Sequence, residues 1–244
     1  MTLEKITNES KAPEKRRYHD ACGMAFGLEM LGERWALFVV RELMLGPRRF
    51  SDLRADLPGI SANVLTQRLA ELEERGIVVR STLPPPANVQ VYGLTDWGYL
   101  AEPIVQEVGR WAARSPLHDP TLPISPVSIM LSMRTMILRD RIGTHDFVIG
   151  FRFGDLAFRA HIANREIVVT REDPKDARLV VSGTAPGVAA WVHGKVPLSE
   201  LGPLGVLTGQ GDMELAAFFP TLFELPPKVA PPPGQISPPA KSRI

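Results

Sequence analysis

Apolar residues recur with a helical period through the first 114 positions and with a strand period through most of the remaining chain. CGMAFGLEMLG and ERWALFVVRELMLG read as two helices, each closed by a glycine. Phe50, Leu53 and Leu57 space a third, shorter helix with Ser51 placed to cap it, and Pro58-Gly59 makes a turn. Leu65, Leu69 and Leu72 then recur at i, i+4 and i+7, which predicts a fourth helix over 61–75 with one core-facing stripe. After Gly76 the period changes. IVVRSTL and NVQVYGL flank PPPA, a β-hairpin pattern, and Thr95 caps a last helix in which Pro103 predicts a kink.

Residues 115–126, SPLHDPTLPISP, carry four prolines and no periodicity, so they read as a linker. Residues 127–225 begin with a helix. Phe147, Ile149, Phe151 and Phe153 alternate with other residues, as do Leu156, Phe158, Ala160 and Ile162, giving two strands with one apolar face each. EIVVTRE and RLVVSGT supply two more strands of a meander. APGVAAWVHG reads as a helix, PLGVLTGQGD as a strand between glycine turns, and MELAAFFPTLF as a closing helix. From Pro226 to Ile244 seven of nineteen residues are proline, which predicts a disordered tail. The expected class is α+β: a mostly helical unit at 20–114, a linker, and a sheet-and-helix unit at 127–225.

Composition narrows this organisation little. The 244 residues hold 28 Lys/Arg and 27 Asp/Glu, a net charge of +1. Residues 1–114 hold 15 of each sign, so any nucleic-acid site must be local. The charged N-terminus lacks a signal-peptide core and no apolar run is long enough to span a bilayer, so a cytoplasmic protein without membrane attachment is expected. The single cysteine, Cys22, has no partner for an internal disulfide, and the five histidines lack metal-ligand spacing. No cofactor is expected. Glycines near residue 205 lack the lysine of a phosphate loop, and no nucleophile–base pair can be identified.

Four helices, a hairpin and a further helix, with a short turn between the third and fourth, make the order of a winged helix-turn-helix. On the fourth helix Asn63, Thr66 and Gln67 lie opposite the leucines, and the acids Glu71, Glu73 and Glu74 fall in its rear half. Asn and Gln can bond adenine bidentately, Thr offers a hydroxyl and a methyl, and Ser61 as N-cap leaves amides aimed at a phosphate. An ordinary amphipathic helix would also show a polar face. The run as a whole, however, resembles the HxlR-type winged-helix transcription factors over about 20–114. The resemblance rests on Cys22, Gly32-x-Arg34-Trp35, Arg41-Glu42-Leu43, Gly46-Pro47-x-Arg49-Phe50-Ser51, Ile60-Ser61, Leu65-Thr66-Gln67-Arg68-Leu69, Leu72-Glu73-x-x-Gly76 and Leu94-Thr95-x-x-Gly98. It implies a homodimer on a double-stranded operator. DNA contact is carried onto Ser61, Asn63, Thr66, Gln67 and Arg68, and phosphate contact onto Arg49 and Ser51. Asn63 stands where a basic residue is common, and the wing offers only Arg80 at its base. Leu100, Ile104, Val108 and Trp111 form an apolar stripe suited either to a dimer contact or to packing on the same domain.

The second unit looks like the sterol carrier protein type of lipid-binding fold. The likeness lies in Asp176 before a strand, a helix ending near Gly194, Leu207-x-Gly209-x-Gly211-Asp212, and the closing Leu222-Phe223. It implies an apolar cavity for a hydrophobic small-molecule effector, with Ile149, Phe151, Phe158, Trp191, Leu215 and Phe219 as candidate lining. The same residues would serve equally as core. The resulting expectation is a dimeric, effector-controlled DNA-binding regulator, not an enzyme. A thiol-based redox regulator acting through Cys22 is the alternative, although a buried structural cysteine fits that position as well. A lipid-handling enzyme is the third reading.

Overall fold

The computed structural model describes residues 18–230. Its first half contains α1 (Gly23–Leu31), α2 (Ala36–Leu43), α3 (Phe50–Asp56) and α4 (Ala62–Glu74). A hairpin of β1 (Val78–Thr82) and β2 (Gln90–Leu94) comes next, paired antiparallel with Arg80 opposite Tyr92, and then α5 (Asp96–Tyr99) and α6 (Glu102–Ala113). This is a winged helix-turn-helix. Two local details differ from the sequence reading. Arg49, not Ser51, stands at the N-cap of α3, and Ser51 lies inside the helix. Pro103 does not kink a long helix. The chain breaks after α5, and the proline sits in the first turn of α6, where its missing N–H costs nothing.

The second half begins with α7 (Pro126–Met136) and α8 (Arg139–Ile142). Then come β3 (Phe147–Phe153), β4 (Leu156–Ala163), β5 (Glu166–Thr170), β6 (Leu179–Gly183), α9 (Ala185–Val192), α10 (Leu198–Leu201), β7 (Leu207–Gly211), α11 (Met213–Phe218) and a 3-10 turn (Phe219–Leu222). The five strands form one sheet in the order β5-β4-β3-β6-β7. β6 does not extend the meander: it crosses to the far side of β3 and pairs with it in parallel, Ile149 opposite Leu179. The crossing segment covers the second face of β3, so residues 147–151 are buried on both faces rather than one. Gly150 is needed there, because a Cβ would stand 2.5 Å from the Pro174 ring.

The two halves share a continuous core. α7 is apolar on nearly every side, with Val127, Ile129, Met130, Leu131 and Met133 all buried. It packs against α2 and α6 of the winged helix and against α9 and β5 of its own half. Polar contacts reinforce the joint. Ser125, the N-cap of α7, donates to Glu42 Oε1 at 2.7 Å, and Arg134 lies 2.8 Å from Glu102. Burial raises the Glu42 carboxyl above its ordinary range, against the pull of Arg41 beside it. The proline-rich tail expected from Pro226 starts as an ordered strap. Val229 N–H bonds the Arg114 carbonyl at 2.8 Å and Lys228 Nζ the Ser115 carbonyl at 2.9 Å. The rest of that tail lies outside the described residues.

Candidate nucleic-acid interface

Three local features build α4 and aim it. Gly59 adopts φ +94, a conformation that admits a side chain poorly, and so turns the chain sharply after α3. Ser61 Oγ accepts from the Val64 amide at 3.3 Å and caps the helix. Leu65, Leu69 and Leu72 are buried, which fixes the rotation of the helix and leaves Asn63, Thr66 and Gln67 exposed. The first turn holds no acid. Gln67 Nε2 donates one N–H to Glu71 Oε1 at 3.1 Å, leaving the second N–H and the carbonyl oxygen for other partners.

Arg68 does not join this face. It is only 9% exposed, ion-paired with Glu71 one turn on and 3.6 Å from Glu33. One step round the helix from Gln67 lies the boundary of the leucine stripe, and the long aliphatic stem runs inward along that boundary. Arg68 braces α4 against the chain before α2. Arg80 is exposed at the wing base, where Glu73 Oε1 lies 3.7 Å away and offsets part of its charge. Arg49 and Ser51 are exposed at the start of α3. Between them and the wing, Arg48 exchanges two backbone hydrogen bonds with Tyr92, both 2.8 Å. Its buried guanidinium pairs with Asp56. Burial raises the Asp56 carboxyl, with Arg48 opposing. Helix start, loop and wing therefore form one braced surface.

The apolar stripe that starts at Leu100, just before α6, and runs along α6 does not pack on its own domain. Leu100 is 72% and Trp111 77% exposed, Ile104 and Val108 are half-exposed, and α6 buries no residue. Met24, Phe26 and Leu28 of α1 are exposed as well. Cys22 is exposed at the N-cap of α1, not buried, because α1 lies on the core with little more than Ala25.

The six residues considered for an effector cavity lie together between the sheet and the helices of the second half, all buried. Trp191 stacks on Phe219 with centroids 5.3 Å apart, Phe151 contacts both rings, and Trp191 Nε1 donates to the Ala216 carbonyl at 3.1 Å. These side chains pack on one another within the layer. Nearby, Ser132 Oγ lies 2.9 Å from His193 Nε2, a serine–histidine pair that no local pattern announces. Among the described residues the other ring nitrogen is buried without a partner, and burial, with a smaller push from Lys195, lowers the imidazole pKa to about 4. With no carboxylate bonded to Nδ1, the pair lacks the orienting member that nucleophile activation uses. It reads as a hydrogen-bonded core contact.

Comparison with known proteins places the first half. The family model described as HxlR-like helix-turn-helix matches residues 30–118. The Bacillus subtilis regulator YvaP is 41% identical over 86 residues, covering 35% of this chain and 79% of YvaP. The HTH-type transcriptional regulator YodB, from the same bacterium, is 37% identical over 89 residues, covering 36% of this chain and 80% of YodB. This chain belongs to the HxlR-like helix-turn-helix family. The structure of reduced YodB aligns with a TM-score of 0.35 and 35% identity, covering 38% of this chain and 92% of that one. The HxlR-like portion runs from the last two residues of α1 past the end of α6, so it includes both the exposed α4 front and the exposed α6 stripe. It ends at residue 118, before α7.

Proposed function

We propose that this HxlR-like protein is a DNA-binding transcriptional regulator whose α4 inserts its first two turns into a major groove. The observation that carries the reading is the exposed, uncharged front of α4, with Ser61, Asn63, Thr66 and Gln67 presented beside a wing braced to α3. Base-edge contact falls to Asn63, Thr66 and Gln67, and phosphate contact to Ser61, Arg49, Ser51 and Arg80. Selection of duplexes from a random-sequence pool, with mobility shift of the enriched sequences, tests the reading. Failure of the full chain to enrich any sequence would sink it.

The same reading makes the protein a homodimer through α1 and α6. Exposed Leu100 and Trp111 support it, since a stripe of that size is unusual on a monomer. For the second half we infer the sterol-carrier-like fold. Its support is the helix ending at His193 beside Gly194, and Gly211 turning the chain into Asp212, which caps α11 through the Leu215 amide at 2.9 Å. A hydrophobic effector held there would have to part the Trp191–Phe219 stack. Native mass spectrometry of the purified protein would detect such a ligand, and a bare mass with no uptake from a lipid panel would leave this layer as core. The exposure of Cys22 favours a second reading, control by thiol oxidation. Oxidant-dependent DNA binding that persists in Cys22→Ser would remove it.

A further inference from the structure

Arg171, just past β5, reaches out of the second half to the winged helix. Its guanidinium donates to the carbonyl of Pro47, 124 residues earlier, and comes within 3.4 Å of where a Cβ on Gly46 would stand. Pro47 in turn lies against Gly93 of the wing, and Arg48 makes its paired backbone bonds with Tyr92. Arg49 is the N-cap of α3. The four residues 46–49 are thus held by the second half at one end, by the wing in the middle and by α3 at the other.

The surrounding charges give this contact a cost that an idle surface arginine would avoid. Arg171 is half-buried beside Arg48, and burial together with that like charge lowers its affinity for a proton. The compensating acids, Asp52 and Asp56, belong to α3. Two guanidiniums stay together here because a carbonyl and the α3 carboxylates hold them. Any shift of β5 that withdraws Arg171 frees the carbonyl and removes a positive charge from beside Arg48.

We propose that Arg171 is a positioning residue through which the second half sets the Gly46–Arg49 segment, and with it the wing and the start of α3, for DNA. The proposal rests on the DNA-binding reading, and Arg171 itself need not touch DNA. It is tested on the full chain with Arg171→Met, which keeps the stem and removes the donors, and Arg171→Lys, which keeps a charge and a donor. In the methionine variant, amide exchange at Arg48 and Tyr92 should quicken about tenfold while β3 amides keep their protection. Affinity for the duplex that wild type selects from a random pool should fall about tenfold. The dependence of affinity on salt should keep its slope, because no phosphate contact is lost. The lysine variant should recover part of both effects.

Unchanged exchange and affinity in Arg171→Met would overturn the proposal. So would a salt slope shallower by about one with unchanged exchange, which would make Arg171 a phosphate ligand. If wild type selects no duplex, the DNA-binding reading fails, and the exchange measurement alone decides whether the contact holds the segment. If β3 protection is lost in the methionine variant, the lysine variant decides by the same two readings.

Discussion

Replacing His193 by glutamine should flatten the acid limb of the protein's stability curve. The imidazole is held between α9 and α7, with Nε2 2.9 Å from the Ser132 hydroxyl and Nδ1 buried without a partner among the described residues. Burial first, and Lys195 second, lower its pKa from 6.5 to about 4. Between those values the unfolded chain binds a proton that the folded one refuses. This stability is therefore complete above about pH 6.5 and is lost as the pH falls towards 4. At about 1.36 kcal/mol per unit, the loss by pH 4 is about 3 kcal/mol. That is a large share of a typical stability of about 5–15 kcal/mol. Glu42 and Asp56, whose carboxyls are raised by burial, titrate with the opposite sign, so the wild-type curve alone is a composite. The informative quantity is the difference between wild type and His193→Gln, since glutamine can offer an acceptor near the place of Nε2 but cannot take up a proton. Urea unfolding monitored by circular dichroism at pH 7.5 and pH 4 should show wild type losing about 3 kcal/mol more than the variant. Parallel curves, or an imidazole that titrates near 6.5 by NMR, would refute the reasoning.

Gln67→Ala should weaken binding to the selected duplex by about 1–3 kcal/mol and spare scrambled DNA, whereas Arg49→Ala should weaken both and make the salt slope shallower by about one. Equal losses on both duplexes for Gln67→Ala would place that residue outside the groove. Ile104→Glu combined with Trp111→Glu should give a folded monomer by sedimentation and abolish tight operator binding; a dimer that survives both charges would move the interface elsewhere. Ser125→Ala removes the α7 cap and the bond to Glu42 together, and should cost about 1–3 kcal/mol in urea unfolding. No change in midpoint would mean that water replaces both contacts.

Most elements of both halves are legible in the sequence because their apolar periods are clean, and Thr95 and Ser61 cap where the pattern puts them, but the short α8 and α10 and the break between α5 and α6 are not. What escapes is of two kinds. Some features turn on a single position at a boundary: Arg68 lies one step round the helix from Gln67 yet is buried, and Cys22 begins a helix that covers little. Others depend on distance along the chain. Ser125 meets Glu42 across 83 residues, Arg171 meets Pro47 across 124, and β6 passes β4 and β5 to pair with β3. Periodicity has no term for such partners, and a proline-rich stretch reads as a loose tether whether or not its ends are held. The α4 front is therefore readable, and its bracing by the second half is not.

The strap from Glu224 to Ala230 has a practical consequence. Because Val229 bonds Arg114, the second half starts and finishes its course at the same place, the C-terminal end of α6. A bulky fusion attached directly after residue 230 would begin one residue past the bond to Arg114, at the end of the helix that carries exposed Trp111, and would crowd that end. Shortening the chain before Lys228 would instead remove two bonds to residues 114 and 115 while leaving the sheet whole. A reporter fused after residue 230 would in turn register changes at α6 without any label inside the fold.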